Sequence, residues 1–199
     1  HLSRVEKDEE GKGKISLKIF FKEGKKYRLI SDRDNDGLFE TTQWFDRPKW
    51  SMVMELDADG DGKPEGRYCY KKSILRFKEI DENGDGIFDL EEFYNSDGKL
   101  IKSRERPEDA DEPDIIWFYD NAEEAVRAEK DSTGDGRIDT WFHYNKGRLT
   151  RVEEDTNGDG KADLWEEYDE SEALVKRSKD LNFDGKPDVE EMAGGQVRK

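Results

Sequence analysis

Six nine-residue stretches concentrate oxygen-bearing side chains: DRDNDGLFE, DADGDGKPE, DENGDGIFD, DSTGDGRID, DTNGDGKAD and DLNFDGKPD, starting at Asp32, Asp57, Asp81, Asp131, Asp155 and Asp180. Each reads D-x-[D/N/T]-x-D-G-x-x-[D/E]. Calcium takes six to eight hard oxygen ligands at flexible geometry. A loop supplies them from side chains at positions 1, 3 and 5 and a backbone carbonyl at 7, with glycine at 6 for the sharp turn. The spacing therefore predicts six calcium loops. Their ligands would be Asp32, Asp34, Asp36, Leu38 and Glu40; Asp57, Asp59, Asp61, Lys63 and Glu65; and Asp81, Asn83, Asp85, Ile87 and Asp89. The later three would use Asp131, Thr133, Asp135, Arg137 and Asp139; Asp155, Asn157, Asp159, Lys161 and Asp163; and Asp180, Asn182, Asp184, Lys186 and Asp188. Position 9 is acidic throughout, whereas position 12 is Gln43, Tyr68, Glu92, Phe142, Glu166 or Glu191. A helix-flanked EF-hand closes on a bidentate carboxylate at 12; here position 9 must close the site.

The loops recur with a period. Their starts lie 25, 24, 50, 24 and 25 residues apart. RPEDADEPD from Arg106 to Asp114 fills the long gap, and RVEKDEEGKGKISLKIFF from Arg4 aligns without gaps on RVEEDTNGDGKADLWEEY from Arg151. Eight units then start near 8, 32, 57, 81, 106, 131, 155 and 180, and they predict one repeat domain over 1–199. Two copies are worn. At positions 1, 3, 5 and 6 one has Asp8, Glu10, Lys12 and Gly13, and the other Arg106, Glu108, Ala110 and Asp111. A lysine in place of the cation, or an arginine in place of a ligand, predicts that neither holds metal.

What must position the loops is a hairpin. DTWFHY (Asp139 to Tyr144) and RLTRVE (Arg148 to Glu153) are short, aromatic and β-branched, and Asn145-Lys146-Gly147 separates them. Similar turns recur at Lys22-Glu23-Gly24 and at Asn95-Ser96-Asp97-Gly98. An aromatic falls five residues after position 9 in seven units: Phe21, Phe45, Tyr70, Tyr94, Tyr119, Tyr144 and Tyr168. Apolar groups two, four and six residues earlier share its face of a pleated strand. The other face is mixed: Phe20, Trp44, Cys69, Phe93 and Phe118 hold one position early on, and His143 and Glu167 take it later. Asn121 to Lys130 is rich in helix formers, but its place in the repeat reads as turn and strand. The expected fold is all-β: an elongated antiparallel meander of eight strand-turn-strand units of 24–25 residues, with the calcium loops along one edge. A small four-bladed β-propeller is the alternative.

These loops resemble the calcium loops of thrombospondin type 3 repeats and of the integrin α-subunit propeller, both of which close the site at position 9. The integrin likeness is closer in context, because there too the loop joins two strands, and thrombospondin repeats carry cysteines that this chain lacks. The hairpin units are similar to MORN-type repeats, a resemblance that implies stacking into an elongated sheet.

Composition excludes much else. Of 199 residues 32% are hydrophobic and 43% charged, so no large apolar core is available. The net charge of −16 repels nucleic acid and anionic membranes. Cys69 is the one cysteine, which rules out an internal disulfide and thiolate-rich metal sites. No nucleophile elbow, zinc-protease, P-loop or dinucleotide signature occurs, and the expectation is no enzyme. No apolar run spans a bilayer, so no membrane insertion is expected. Six divalent ions would bring the charge of −16 to about −4, relieving repulsion among clustered carboxylates and coupling metal binding to folding. Asp, Asn and Gly also favour plain surface turns, but six matches at fixed spacing go beyond that. Without the mobile helix pair of a sensor, calcium would be structural, and millimolar extracellular calcium suits multiple weak sites. The expected protein is an extracytoplasmic (secreted, periplasmic or cell-surface) scaffold or adhesin-like module with a protein partner. The alternative is a carbohydrate-binding module whose exposed tryptophans, among Trp44, Trp50, Trp117, Trp141 and Trp165, stack on a glycan.

Overall fold

The computed structural model describes residues 3–9, 11–106, 114–194 and 196–198. Its backbone falls into two compact units, His1–Lys99 and Leu100–Lys199. The first holds β1 (Arg4–Lys7), β2 (Leu17–Lys22), β3 (Lys25–Ser31), β4 (Thr41–Phe45), β5 (Met52–Leu56), β6 (Gly66–Lys71), β7 (Ile74–Ile80) and β8 (Leu90–Tyr94). The second holds β9 (Leu100–Glu105), β10 (Ile115–Tyr119), β11 (Ala125–Lys130), β12 (Thr140–Asn145), β13 (Arg148–Glu154), β14 (Leu164–Tyr168), β15 (Leu174–Lys179), β16 (Val189–Met192) and β17 (Gln196–Arg198).

Within each unit every strand pairs antiparallel with the next, from β1 through β8 and from β9 through β17. Propeller blades would interrupt the ladder every four strands, and neither ladder is interrupted. Each unit is an open meander, and the propeller alternative is set aside. The segment with helix-forming composition is strand β11, paired on both sides. In a meander alternate connections lie at one edge, so within each unit all acidic loops share an edge and all hairpin turns the other.

Local chemistry explains the turns. Glu23-Gly24, Lys72-Ser73 and Lys146-Gly147 are two-residue connections with both φ angles positive, the turn whose twist matches the flanking strands. Longer turns use an Asx anchor: Asp120 Oδ1 accepts the amides of Ala122 (2.7 Å) and Glu124 (3.1 Å), and Asp169 does the same for Ser171 and Ala173. The connection 46–51 (DRPKWS) has neither form and is six residues long.

Little of the sheet is buried. Among the described residues the buried apolar side chains are Leu17, Cys69, Ala128 and Val152, and the buried polar ones include Thr41, Ser103, Thr140 and Ser178. The recurrent aromatics are half-buried on the face of positions 10 and 12: the Tyr94 and Tyr168 hydroxyls donate to Glu92 and Glu166, and the Trp117 and Tyr144 rings lie 5.7 Å apart. In five hairpins a register shift falls beside this aromatic, between Phe20/Phe21, Cys69/Tyr70, Phe118/Tyr119, His143/Tyr144 and Glu167/Tyr168. Such bulges add local twist. With so thin a core, stabilisation rests on ladder hydrogen bonds, on cross-strand pairs of about 0.2–1 kcal/mol each, and on the loop edge.

Candidate metal centres on the loop edge

Asp and Asn side chains bond to backbone amides a few residues ahead, and the loops repeat this tendency in register. In all six full copies Oδ2 of the first aspartate accepts the position 6 glycine amide, from 2.6 Å at Gly136, Gly160 and Gly185 to 3.1 Å at Gly62. The position 5 aspartate accepts the amide of position 7, so Leu38, Lys63, Ile87, Arg137, Lys161 and Lys186 are tied down by their N–H groups. The carboxylate at position 9 accepts the amide of position 2, closing the loop on itself. Glycine at 6 has positive φ in every copy, between 85° and 110° to the nearest five degrees for Gly37 (109°), Gly62 (92°), Gly86 (89°), Gly136 (86°), Gly160 (88°) and Gly185 (88°). A side chain there would be strained.

Neighbouring loops are joined through their backbones. In the first unit the amide of Asp32 donates to Ser16 O (2.9 Å), Asp57 to Glu40 O (2.7 Å) and Asp81 to Glu65 O (2.9 Å). In the second, Asp131 donates to Asp114 O, Asp155 to Asp139 O and Asp180 to Asp163 O, at 2.8–2.9 Å. Side chains at position 7 add to this: Leu38 packs against Gly60, and Lys63 Nζ donates to Asp85 O at 3.1 Å. Nothing in a single loop's sequence signals these links, because they depend on strand register.

Two loops gather four carboxylates each. Oxygens of Asp32, Asp34, Asp36 and Glu40 lie within 4.8 Å of one another, as do those of Asp57, Asp59, Asp61 and Glu65. Among the described residues no other such group of three or more occurs. The difference follows from side chains: these two copies have Asp at position 3 and the longer Glu at 9, whereas the others place Asn83, Thr133, Asn157 or Asn182 at 3 and Asp at 9. Asp32 is only 3% exposed, and its Oδ1 is buried without a donor while Oδ2 takes the Gly37 amide. A buried carboxylate oxygen without a partner is costly, and a divalent cation among these four hard donors would satisfy it. The donor set fits an oxygen-seeking ion.

In the other five full loops, that of Asp57 included, both oxygens of the first aspartate accept amides. Burial pushes Asp131 up, but the amides of Gly136, Gly134 and Asp135 with the Thr133 hydroxyl outweigh it and hold its pKa below the usual range. Asp180 is likewise depressed, the amides of Gly185, Phe183, Asp184 and Asn182 outweighing burial. In each the amides favour the ionised form.

The worn first copy keeps the frame. Asp8 Oδ2 accepts Gly13 N at 2.6 Å, and Ser16 Oγ, in the place of the closing carboxylate, accepts Glu9 N at 3.2 Å. Ser16 lies outside the metal motif, and only its place at position 9 of the unit from Asp8 marks it in the sequence. Glu10, and 107–113 of the other worn copy, lie outside the described residues.

No family model matches the chain, and no curated protein does. Twenty-four chains of solved structures match. One belongs to the crystal structure of accessory secretory protein 1, 2 and 3 in Streptococcus pneumoniae, at 10% identity and a TM-score of 0.30, covering 60% of this chain and 19% of that one. An overlap so shallow assigns no function. No helix among the described residues is long and apolar enough to cross a membrane.

Proposed function

We propose that this chain is a calcium-stabilised extracytoplasmic repeat scaffold, in which about six structural ions staple the loop edge and a sheet face serves a partner at a cell surface. The observation that carries the reading is the buried, donorless Asp32 Oδ1 within a cluster of four carboxylates. The four remaining loops share the hydrogen-bonded frame with one carboxylate fewer, and are assigned weaker sites. The loop carboxylates are accounted for by their place in the repeat.

The test is calorimetric titration of calcium into chelator-stripped protein, with far-UV circular dichroism on the same samples. About six bound ions and a gain of β signal are expected. An Asp32→Asn variant should lose one of the tighter sites. Absence of binding, with full β signal in the stripped protein, would overturn the proposal.

A further inference from the structure

The first unit carries a feature that the repeat does not explain. On the face of positions 11 and 13, directly paired residues run Phe20, Arg28, Trp44, Val53, Cys69, Phe77 and Phe93 from β2 to β8. The six-residue connection 46–51 folds over this row. Its Trp50 stacks nearly parallel on Phe77, with centroids 6.4 Å apart. Ser51 fixes the connection to β6: its amide and hydroxyl both donate to Tyr70 O, at 2.8 and 3.0 Å. Between the connection and the sheet lies a cleft of about 450 Å³, floored by Trp44, Val53 and Cys69 and walled by Trp50. That volume is in the range of small-molecule sites.

Its charges are unusual for a chain of net −16. Arg47, Lys49 and Arg67 line the cleft together with the one carboxylate of Glu55, and Arg28 lies behind Trp44. Arg47 sits 4.5 Å and Arg28 4.6 Å from the Trp44 ring centroid, and Lys49 4.9 Å from that of Trp50. None of the three has a carboxylate partner among the described residues, and Arg28 Nε is buried without an acceptor. The carboxylates at hand are engaged: Glu55 accepts Trp44 Nε1 at 3.0 Å and meets Arg67 at 3.3 Å, and Glu79 meets Arg67 at 2.9 Å.

We propose that this cleft binds an acidic sugar, a uronate residue of an oligosaccharide, with its carboxylate on Arg47 and Lys49 and its C–H groups against Val53 and the parts of the Trp44 and Trp50 rings that line the cleft. A guanidinium held against an aromatic ring keeps its planar fork free for a carboxylate. A peptide adding as a further strand would need a free strand edge, and β4, β5 and β6 are each paired on both sides. Asp46, Glu55 and Glu79 nearby disfavour a polyanion of high charge density, while one charge per ring is accommodated. The inference is independent of calcium.

The experiment is titration of trigalacturonate into calcium-loaded protein, followed by tryptophan fluorescence and calorimetry. One site per chain is expected. The double variant Arg47→Gln/Lys49→Gln should weaken binding about tenfold or more while leaving the calcium isotherm and circular dichroism unchanged, and fully methyl-esterified trigalacturonate should bind as weakly as the variant permits. Three results would each overturn the proposal: no binding at millimolar trigalacturonate, equal binding by the double variant, which would place the sugar on the calcium loops, or equal or tighter binding of hexaglutamate, which would point to an acidic peptide.

Discussion

The two units use one backbone for two surfaces. In the first, the row from Phe20 to Phe93 is aromatic or apolar at six of its seven places, with Arg28 as the exception. The corresponding row in the second runs Phe118, Arg127, His143, Arg151, Glu167, Lys176 and Met192. Its charges pair locally, as in Arg127–Glu129 at 2.6 Å and Arg151–Glu153 at 3.0 Å. Each row sits on an antiparallel ladder of its own unit, between the same kind of loops. The strand face is thus free to diverge because turns and loop frames, rather than face chemistry, specify the backbone.

Calcium should divide the units most strongly. The four-carboxylate loops both lie in the first unit, so on titration its loop amides should gain hydrogen-exchange protection before those of the second. A site with calcium at one hundred times its Kd contributes about 2.7 kcal/mol. Simultaneous protection of both units would show that the neutral oxygens of Asn83, Thr133, Asn157 and Asn182 serve as well as carboxylates. Truncation of the faces comes next. Phe77→Ala, which removes the partner of both Trp50 and Phe93, is expected to cost about 2 kcal/mol in a denaturant melt. Lys176→Ala in the matching row of the second unit should stay within about 0.5 kcal/mol. Equal losses would mean that the charged row holds its unit as firmly as the aromatic one.

Cys69 offers a finer probe. Burial, with the nearby Glu79 carboxylate, pushes its thiol up to about 11. At pH 8 it should resist iodoacetamide in the calcium-loaded protein and react once the first unit opens, whatever the state of the second. Fast labelling of the loaded protein would contradict the buried assignment. The smallest effect concerns Glu166. Burial raises it, but the Tyr168 hydroxyl and Arg177 outweigh burial and leave it below its ordinary value of 4.5. The ionised form is favoured on folding, so this contribution is present above that value and declines as pH falls below it. Arg177→Gln should flatten the acid limb of the second unit's stability curve and leave the first unit's unchanged.

Periodicity made the loop starts, the hairpins and the strand nature of the segment before Lys130 legible, because each rests on local chemistry repeated in register. Other features depend on neighbours two strands away. The amide of Asp57 bonding to Glu40 O, the bulges beside the aromatics and the row from Phe20 to Phe93 all follow from strand register. That four carboxylates come together only in the first two full loops depends on two positions at once, Asp34 or Asp59 at position 3 and the longer Glu40 or Glu65 at position 9. Neither loop spacing nor hairpin chemistry singles out the connection DRPKWS. Its consequence appeared only when Trp50 was found on Phe77, a residue 27 positions later in the chain.

The bonds between consecutive loops run from peptide nitrogen to peptide oxygen and take no account of side chains. Ser16 shows what this permits: a copy without the closing carboxylate still receives the Asp32 amide and still donates its own to Lys7 O. An individual copy can therefore lose its ligands, or spend its turn on a different binding task as 46–51 does, without unseating the copies beside it. The array behaves as a row of separately editable positions, in which a change of chemistry at one leaves the geometry of the next intact.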